Sequence, residues 1–416
     1  MKLALLHAEL SSSSRLESLQ ISQLIEGYQS LNHPSQTFSL APDVDYLNIR
    51  KICSSLVDQK VDRIIFLTKS AATFKIIEQM SLIGFTGSFV FHLDGQFIFD
   101  AKEWGHLAKI NCHFVCRSKR SLELVKSFLK NKKQASLLGP VTEVVSLEKD
   151  NQKIREKLKI ANDELVFLFV GNISRQQHVI ELTSLMLKFC AQISPKVNLW
   201  LCGQFKDEGI PLVGKTELEF EHYQSWLKLC HDSPHGHKIA YLGDLDLPEL
   251  QEVYAQADWG MFVGSDPAQD LDAHALEALS HGLPCVLSNW GGHSDLMHEK
   301  YVRSLAVEVK GFHLSPDLKR LTKDLFLMLN QNVRPDDATR AACSKYYQDK
   351  FGTSFSPKVL EQILSQCDPF SGFNQQMITL AAAFERNPYA PFVDVTSYGG
   401  YNQEFEEIYA SYFGDS

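Results

Sequence analysis

The chain has 416 residues, 44% hydrophobic and 22% charged, ordinary globular material whose length favours two domains over one. Its net charge of −9, with no basic block, argues against nucleic acid as the main partner. No run approaches the roughly 18 apolar residues of a membrane span, so membrane contact is expected to be at most peripheral. Nine scattered cysteines, odd in number and without a CxxC pair, fit a reducing cytoplasm.

The first segment, MKLALLHAEL, has too short an apolar run for a signal peptide and reads as a buried strand from Leu3 to Leu6. Ser11 to Ser14 follow; serines there can form an anion nest and cap a helix from Arg15 to Ser30, whose first residue can reach a phosphate. Further strands are expected at Thr37 to Leu40, Arg63 to Leu67, Ser88 to Phe91, His113 to Cys116 and Ala135 to Leu138, with a helix from Ala71 to Ile83 among the stretches between them. The strand GSFVFH delivers His92 at its carboxyl end, directly before Leu93-Asp94-Gly95. An imidazole there either caps the strand or faces a cleft beyond it, and Asp94 is its neighbour. Cys112 and Cys116 flank the next strand as core residues.

Gly139-Pro140-Val141-Thr142 closes this half, and a charged run from Glu148 to Lys159 leads to the apolar strand LVFLFVG at 165–171. The rhythm then repeats at Asn198 to Cys202, Ile239 to Leu242, Gly260 to Val263, Pro284 to Leu287 and Leu305 to Val309. Cys230, His231, His235 and His237 in CHDSPHGH fit no common zinc spacing and read as an exposed loop. Asp266, Asp270 and Asp272 read as solvated loop acids that would repel a diphosphate, with Mg²⁺ binding as the alternative. Two tandem Rossmann-like domains are the simplest architecture, at 1–145 and 146–348, with a closing helix and C-terminal extension over 349–416. That extension carries the aromatic-rich Asn387 to Phe392 and Tyr398 to Tyr401 and an acidic end, Glu404 to Tyr412. It serves as a brace or as a partner-docking segment.

The most informative stretch runs from Tyr254 to Gly292: a helix end, a strand, a long loop, a helix opening near Ala273, a Gly-Leu-Pro stop, a second strand and a Gly-Gly turn. Loops beyond the carboxyl ends of parallel strands are where open α/β sheets bind ligands, and helix N-termini there favour anions. Glu277-Ala278-Leu279-Ser280-His281-Gly282-Leu283-Pro284-Cys285-Val286 with Gly291-Gly292 resembles the donor half of the retaining GT-B glycosyltransferases, the nucleotide-sugar-dependent group 1 enzymes. The order of the strands and turns extends that resemblance over about residues 1–365.

The resemblance implies an α/β GT-B fold, two Rossmann-like domains with parallel sheets facing across a cleft. It implies a nucleotide sugar as donor, a UDP- or GDP-sugar, with no other cofactor and no metal. Glu277 matches the family's ribose-binding Glu; a helix acid favoured by the macrodipole is its plainer role. Gln269, eight positions earlier, stands where the family has a sugar-binding Glu, and an amide can still hydrogen-bond a sugar. After Gly171, the family's diphosphate-binding Arg and Lys positions fall on Asn172 and Gln177, neither of them charged, so Arg175, His178 and Arg15 are the candidate substitutes. Gly243 completes the donor list, and His92 and Asp94 are the catalytic candidates.

The expected activity is sugar transfer with retention to a glycan, lipid-linked or protein acceptor in the cytoplasm. A catalytically degenerate GT-B protein, serving as a binding or chaperone-like subunit of a partner glycosyltransferase, is the alternative that Asn172, Gln177 and Gln269 suggest.

Overall fold

The structure is a computed structural model, and it describes all residues except 10–14, 42–43, 94, 96, 108–109, 143–152, 207–218, 268–269, 311–312, 332, 353, 387–402 and 414–416. It divides into two units: residues 1–141, 267–271 and 353–391 form the first, and 142–266, 272–352 and 392–416 the second.

The first unit is built on a parallel sheet of β1 (Leu3–Ala8), β2 (Ser35–Leu40), β3 (Arg63–Phe66), β4 (Ser88–His92), β5 (Asn111–Cys116) and β6 (Ala135–Leu137), in the order β2-β1-β3-β4-β5-β6. The central strands are apolar on both faces because helices cover both, whereas β2 at the edge is only partly buried. On one face Leu3, Leu5, Ile65, Val90 and Val115 pack with Ile21, Leu24 and Tyr28 of the Arg15–Gln29 helix. Phe355, Leu360, Ile363 and Leu364 complete that core from far along the chain, the last three on the Pro357–Ser365 helix.

The second unit holds β7 (Leu165–Val170), β8 (Val197–Cys202), β9 (Ile239–Gly243), β10 (Trp259–Phe262), β11 (Cys285–Ser288) and β12 (Val302–Leu305), all parallel, in the order β12-β11-β10-β7-β8-β9. β7, LVFLFV, is buried at every position, as a strand inside a doubly covered sheet must be. The order reverses between β7 and β10, which makes the ground beyond their carboxyl ends the topological switch point.

One predicted strand shifts. The apolar run at Leu305 to Val309 marks the end of β12 and the start of a two-stranded antiparallel hairpin, β13 (Val307–Lys310) with β14 (His313–Pro316). Val302 and Leu305 are buried while Arg303 and Ser304 between them are not, so the strand's sheet residues lack a continuous apolar run. The expected closing segment from 349 also divides: 353–391 belong to the first unit and 392–416 to the second.

Among the described residues no helix is long and apolar enough to cross a membrane.

Candidate functional site

Three strand ends in the second unit finish in glycines, Gly171, Gly203 and Gly243. Gly171 has φ +137°, a conformation open to glycine, and its amide donates to the Cys202 carbonyl at 3.0 Å. Gly203 passes so near that a Cβ on it would lie 2.0 Å from the Gly171 carbonyl oxygen. Backbone therefore forms the wall of the loop leaving β7.

In that loop Asn172 is exposed, Arg175 is half-buried and Arg175–Gln177 make a single 3-10 turn. His178, at φ +55°, opens the Val179–Gln192 helix. Its Nε2 lies 2.6 Å from Ser265 Oγ, while the Ser265 amide donates to the Gln176 carbonyl at 3.0 Å. These bonds stitch the loop to the one leaving β10. Gln177, where the resemblance expects a lysine, is buried, and its amide end fills the space over Gly264: a Cβ there would meet its Oε1 at 2.2 Å.

The Ala273–Ser280 helix starts beyond the second loop, with Asp272 as its N-cap accepting from the amides of His274 at 3.0 Å and Ala275 at 3.2 Å. One turn in, Glu277 is 6% exposed. The Tyr254 hydroxyl donates to its Oε2 at 3.0 Å, and the His274 ring stands 3.8 Å away. That ring also lies over Gly171, where a Cβ would come 3.2 Å from its Cδ2. The retained acid and the glycine-walled loop are thus neighbours in space, joined by a histidine.

Asp272 anchors a second network. Burial pushes its carboxyl up, but His293 at 3.4 Å, the His274 ring and the Ala275 amide together hold it below the usual carboxylate range. His293 Nδ1 is 2.9 Å from Ser288 Oγ, and that hydroxyl donates to the Gly264 carbonyl. The ends of β10 and β11 are so fixed to the helix start. Trp290, in the turn after β11, donates from Nε1 to the Asp266 carbonyl at 3.1 Å.

The expectation of three solvated acids in this loop is corrected. Asp272 is a buried cap, and Asp270 is buried in the first unit, where it accepts from Ser118 Oγ and from the Arg117 amide at 3.2 Å. Both carboxylates find donors in the fold, which a charge count along the sequence does not reveal.

In the first unit His92 departs from its expected role as a group facing a cleft. It is 3% exposed, with Nε2 2.9 Å from the buried Tyr28 hydroxyl and the two rings edge-on at 5.7 Å. Burial, then the charges of Arg117 and His113, lower its pKa to about 3, so the ring is neutral. Asp94 and Gln269 lie outside the described residues, as do Ser11 to Ser14, and of Arg15 only the backbone that opens its helix is described. In the CHDSPHGH segment, His231 is exposed beside Asp232 at 3.2 Å, and Gly236–Lys238 form a 3-10 turn.

The contacts of Tyr254 and His274 with Glu277, and the bonds that join Asp272 to His293 and Ser288, were not legible in the sequence. An Asp directly before an apolar helical run is an N-cap signal that points to Asp272; nothing local marks Tyr254 as a partner of Glu277, 23 residues on.

Residues 150–346 match the family model of glycosyl transferases group 1. A curated relative, an uncharacterized glycosyltransferase of Methanocaldococcus jannaschii, is 27% identical over 146 residues, which are 35% of this chain and 33% of the relative. The match thus spans about a third of that protein's length. Among solved structures the chain is similar to Anabaena HepE in complex with UDP, at TM-score 0.58 and 15% identity over 88% of this chain and 99% of that one. It is similar also to a trehalose-6-phosphate structure from E. coli bound with UDP-2-fluoro glucose, at TM-score 0.60 and 9% identity over 89% and 100%. A third is WaaG, a glycosyltransferase involved in lipopolysaccharide biosynthesis, at TM-score 0.58 and 11% identity over 88% and 100%. The structural likenesses show the GT-B fold, and the residues matched by the family model include the stretch from Glu277 to Gly292.

Proposed function

We propose, from the group 1 glycosyl transferase family of residues 150–346, that the protein transfers a sugar, with retention, from a nucleoside diphosphate sugar to a glycan, lipid-linked or protein acceptor in the cytoplasm. The observation that carries this reading is the buried Glu277 carboxylate, oriented by Tyr254 and neighbouring, through His274, the backbone wall at Gly171. A carboxylate held this way can accept both ribose hydroxyls, while the Gly171 loop admits a diphosphate close to backbone amides. UDP is the favoured carrier because UDP and UDP-2-fluoro glucose occupy similar folds.

In the proposed reaction the bond from sugar C1 to the diphosphate oxygen breaks as the acceptor oxygen bonds to C1 on the same face. The acceptor's proton passes to the departing phosphate oxygen. Compensating the leaving charge is the main demand on the site. With Asn172 and Gln177 uncharged, that task falls to Arg175 and to the amides that open the Val179–Gln192 helix.

Calorimetric titration with UDP, GDP and ADP, with and without Mg²⁺, tests the reading. UDP should bind at micromolar Kd, and Glu277→Gln should weaken it about tenfold or more, the usual worth of a charged hydrogen bond. An unchanged Kd in that variant removes the ribose role. The buried, uncharged Gln177 favours a second reading, a degenerate subunit without turnover, and failure of all three nucleotides to bind would select it.

A further inference from the structure

The last described residues of the chain pack on the turn that follows β11. The Gln403–Ile408 helix buries Phe405 and Ile408, and Tyr409 and Tyr412 beyond it are fully buried. Trp290 is their receptor: its ring centroid lies 6.0 Å from Tyr409, 5.5 Å from Tyr412 and 5.0 Å from Phe413. Backbone joins as well, since the Gly291 amide donates to the Tyr412 carbonyl at 2.9 Å and Trp290 forms an antiparallel bridge with Phe413. On its other side the same indole donates to the Asp266 carbonyl, in the loop that runs from β10 to the Asp272 cap. One tryptophan thus links the C-terminal segment to the loop.

We propose that Trp290, clasped by Tyr412 and Phe413, is a positioning element for nucleotide-sugar binding: the C-terminal segment holds the 264–266 backbone in its binding geometry through the indole hydrogen bond. This rests on the reading that the loop leaving β10 borders the donor. Offset and edge-on aromatic contacts fix ring orientation, and a buried N–H that loses its acceptor is costly, so the clasp and the loop order each other. Loosening the clasp lowers the fraction of molecules ready to bind, and apparent affinity falls by that fraction.

The test uses the full-length protein and two variants. Trp290→Phe keeps an aromatic ring but deletes the N–H; Phe413→Leu keeps apolar volume but deletes the ring edge. UDP affinity is measured by calorimetry, and amide hydrogen exchange at 264–266 is followed without nucleotide. Both variants should exchange faster at 264–266 and bind UDP about three- to tenfold more weakly, the worth of one neutral hydrogen bond. In turnover assays KM for the UDP-sugar should rise while kcat at saturating donor holds. Unchanged exchange in Trp290→Phe overturns the proposal, and so does faster exchange with unchanged UDP affinity. If the unmodified protein binds no nucleotide, the functional reading fails instead, and exchange alone then decides whether the clasp orders the loop.

Discussion

His92 and Glu277 are two buried titratable groups with opposite surroundings. Glu277 has a hydroxyl and a histidine beside it, and its carboxylate is the group proposed above to bind ribose. His92 has Tyr28 and an apolar core, and its free energy depends on staying neutral. Because its folded pKa of about 3 lies below the usual 6.5, the unfolded chain takes up a proton first as pH falls. The stability it contributes is whole above pH 6.5 and is lost as pH drops from there toward 3. Between pH 7 and pH 5 that loss is about 2 kcal/mol, at about 1.4 kcal/mol per pH unit. His92→Gln, which still offers Tyr28 an acceptor, should shrink the pH 7 to pH 5 drop in urea-unfolding free energy by about that amount; an unaltered drop would show the ring is not the proton acceptor. The sequence placed His92 at a strand end correctly, yet it had no means of showing that Tyr28, 64 positions earlier, fills the space beside it. Glu277 was legible because its motif is local, and Tyr254 was not because its contact crosses a strand and a long loop.

At the scale of elements, apolar runs marked the strands well wherever both faces are covered. β7, β8, β10 and β11 are buried at every residue, and their sequences are apolar or small throughout except at Asn198 of β8, whose amide donates to Glu164 at 2.7 Å. Where burial alternates, as in β12, the pattern slid by three residues and merged with the hairpin that follows. Strand order itself is invisible to periodicity, and with it the switch point between β7 and β10. The Gly171 loop is the element most exposed to test. Gly171→Ala adds a methyl at φ +137°, about 1–3 kcal/mol of backbone strain, and presses on His274. Thermal melting should fall by several degrees and UDP affinity with it. Gly203→Ala places its methyl on the Gly171 carbonyl and should be the more severe of the pair. Equal melting of either variant with the unmodified protein would mean the loop yields.

For the whole molecule, the α/β fold with two Rossmann-like sheets is as expected from the strand rhythm, while periodicity carries no sign of how often the chain passes between the units. The chain returns: 267–271 and 353–391 belong with the first unit. Periodicity gives helices and strands their type but says nothing of which core receives them. Leu360, Ile363 and Leu364 are each at most 1% exposed in the first unit's core. At about 1.5–3 kcal/mol for each buried aliphatic side chain, their removal rivals the whole stability of an ordinary domain. A chain carrying Leu360→Asp and Ile363→Asp should therefore be cleaved throughout 1–141 in limited proteolysis read by mass spectrometry, while β7 to β12 stay protected; uniform resistance would show the first unit stands without that helix's packing. The same return has a temporal side. During synthesis the first 141 residues leave the ribosome with one wall of their core still unmade, and the Pro357–Ser365 helix follows roughly 200 residues later. At elongation rates of about 5–20 residues per second, that is an interval of about 10–40 seconds in which Tyr28, Leu24 and Ile21 face an open seam. On this timing, a binder of exposed apolar surface would have its longest opportunity before residue 365 emerges, and slower translation should lengthen it.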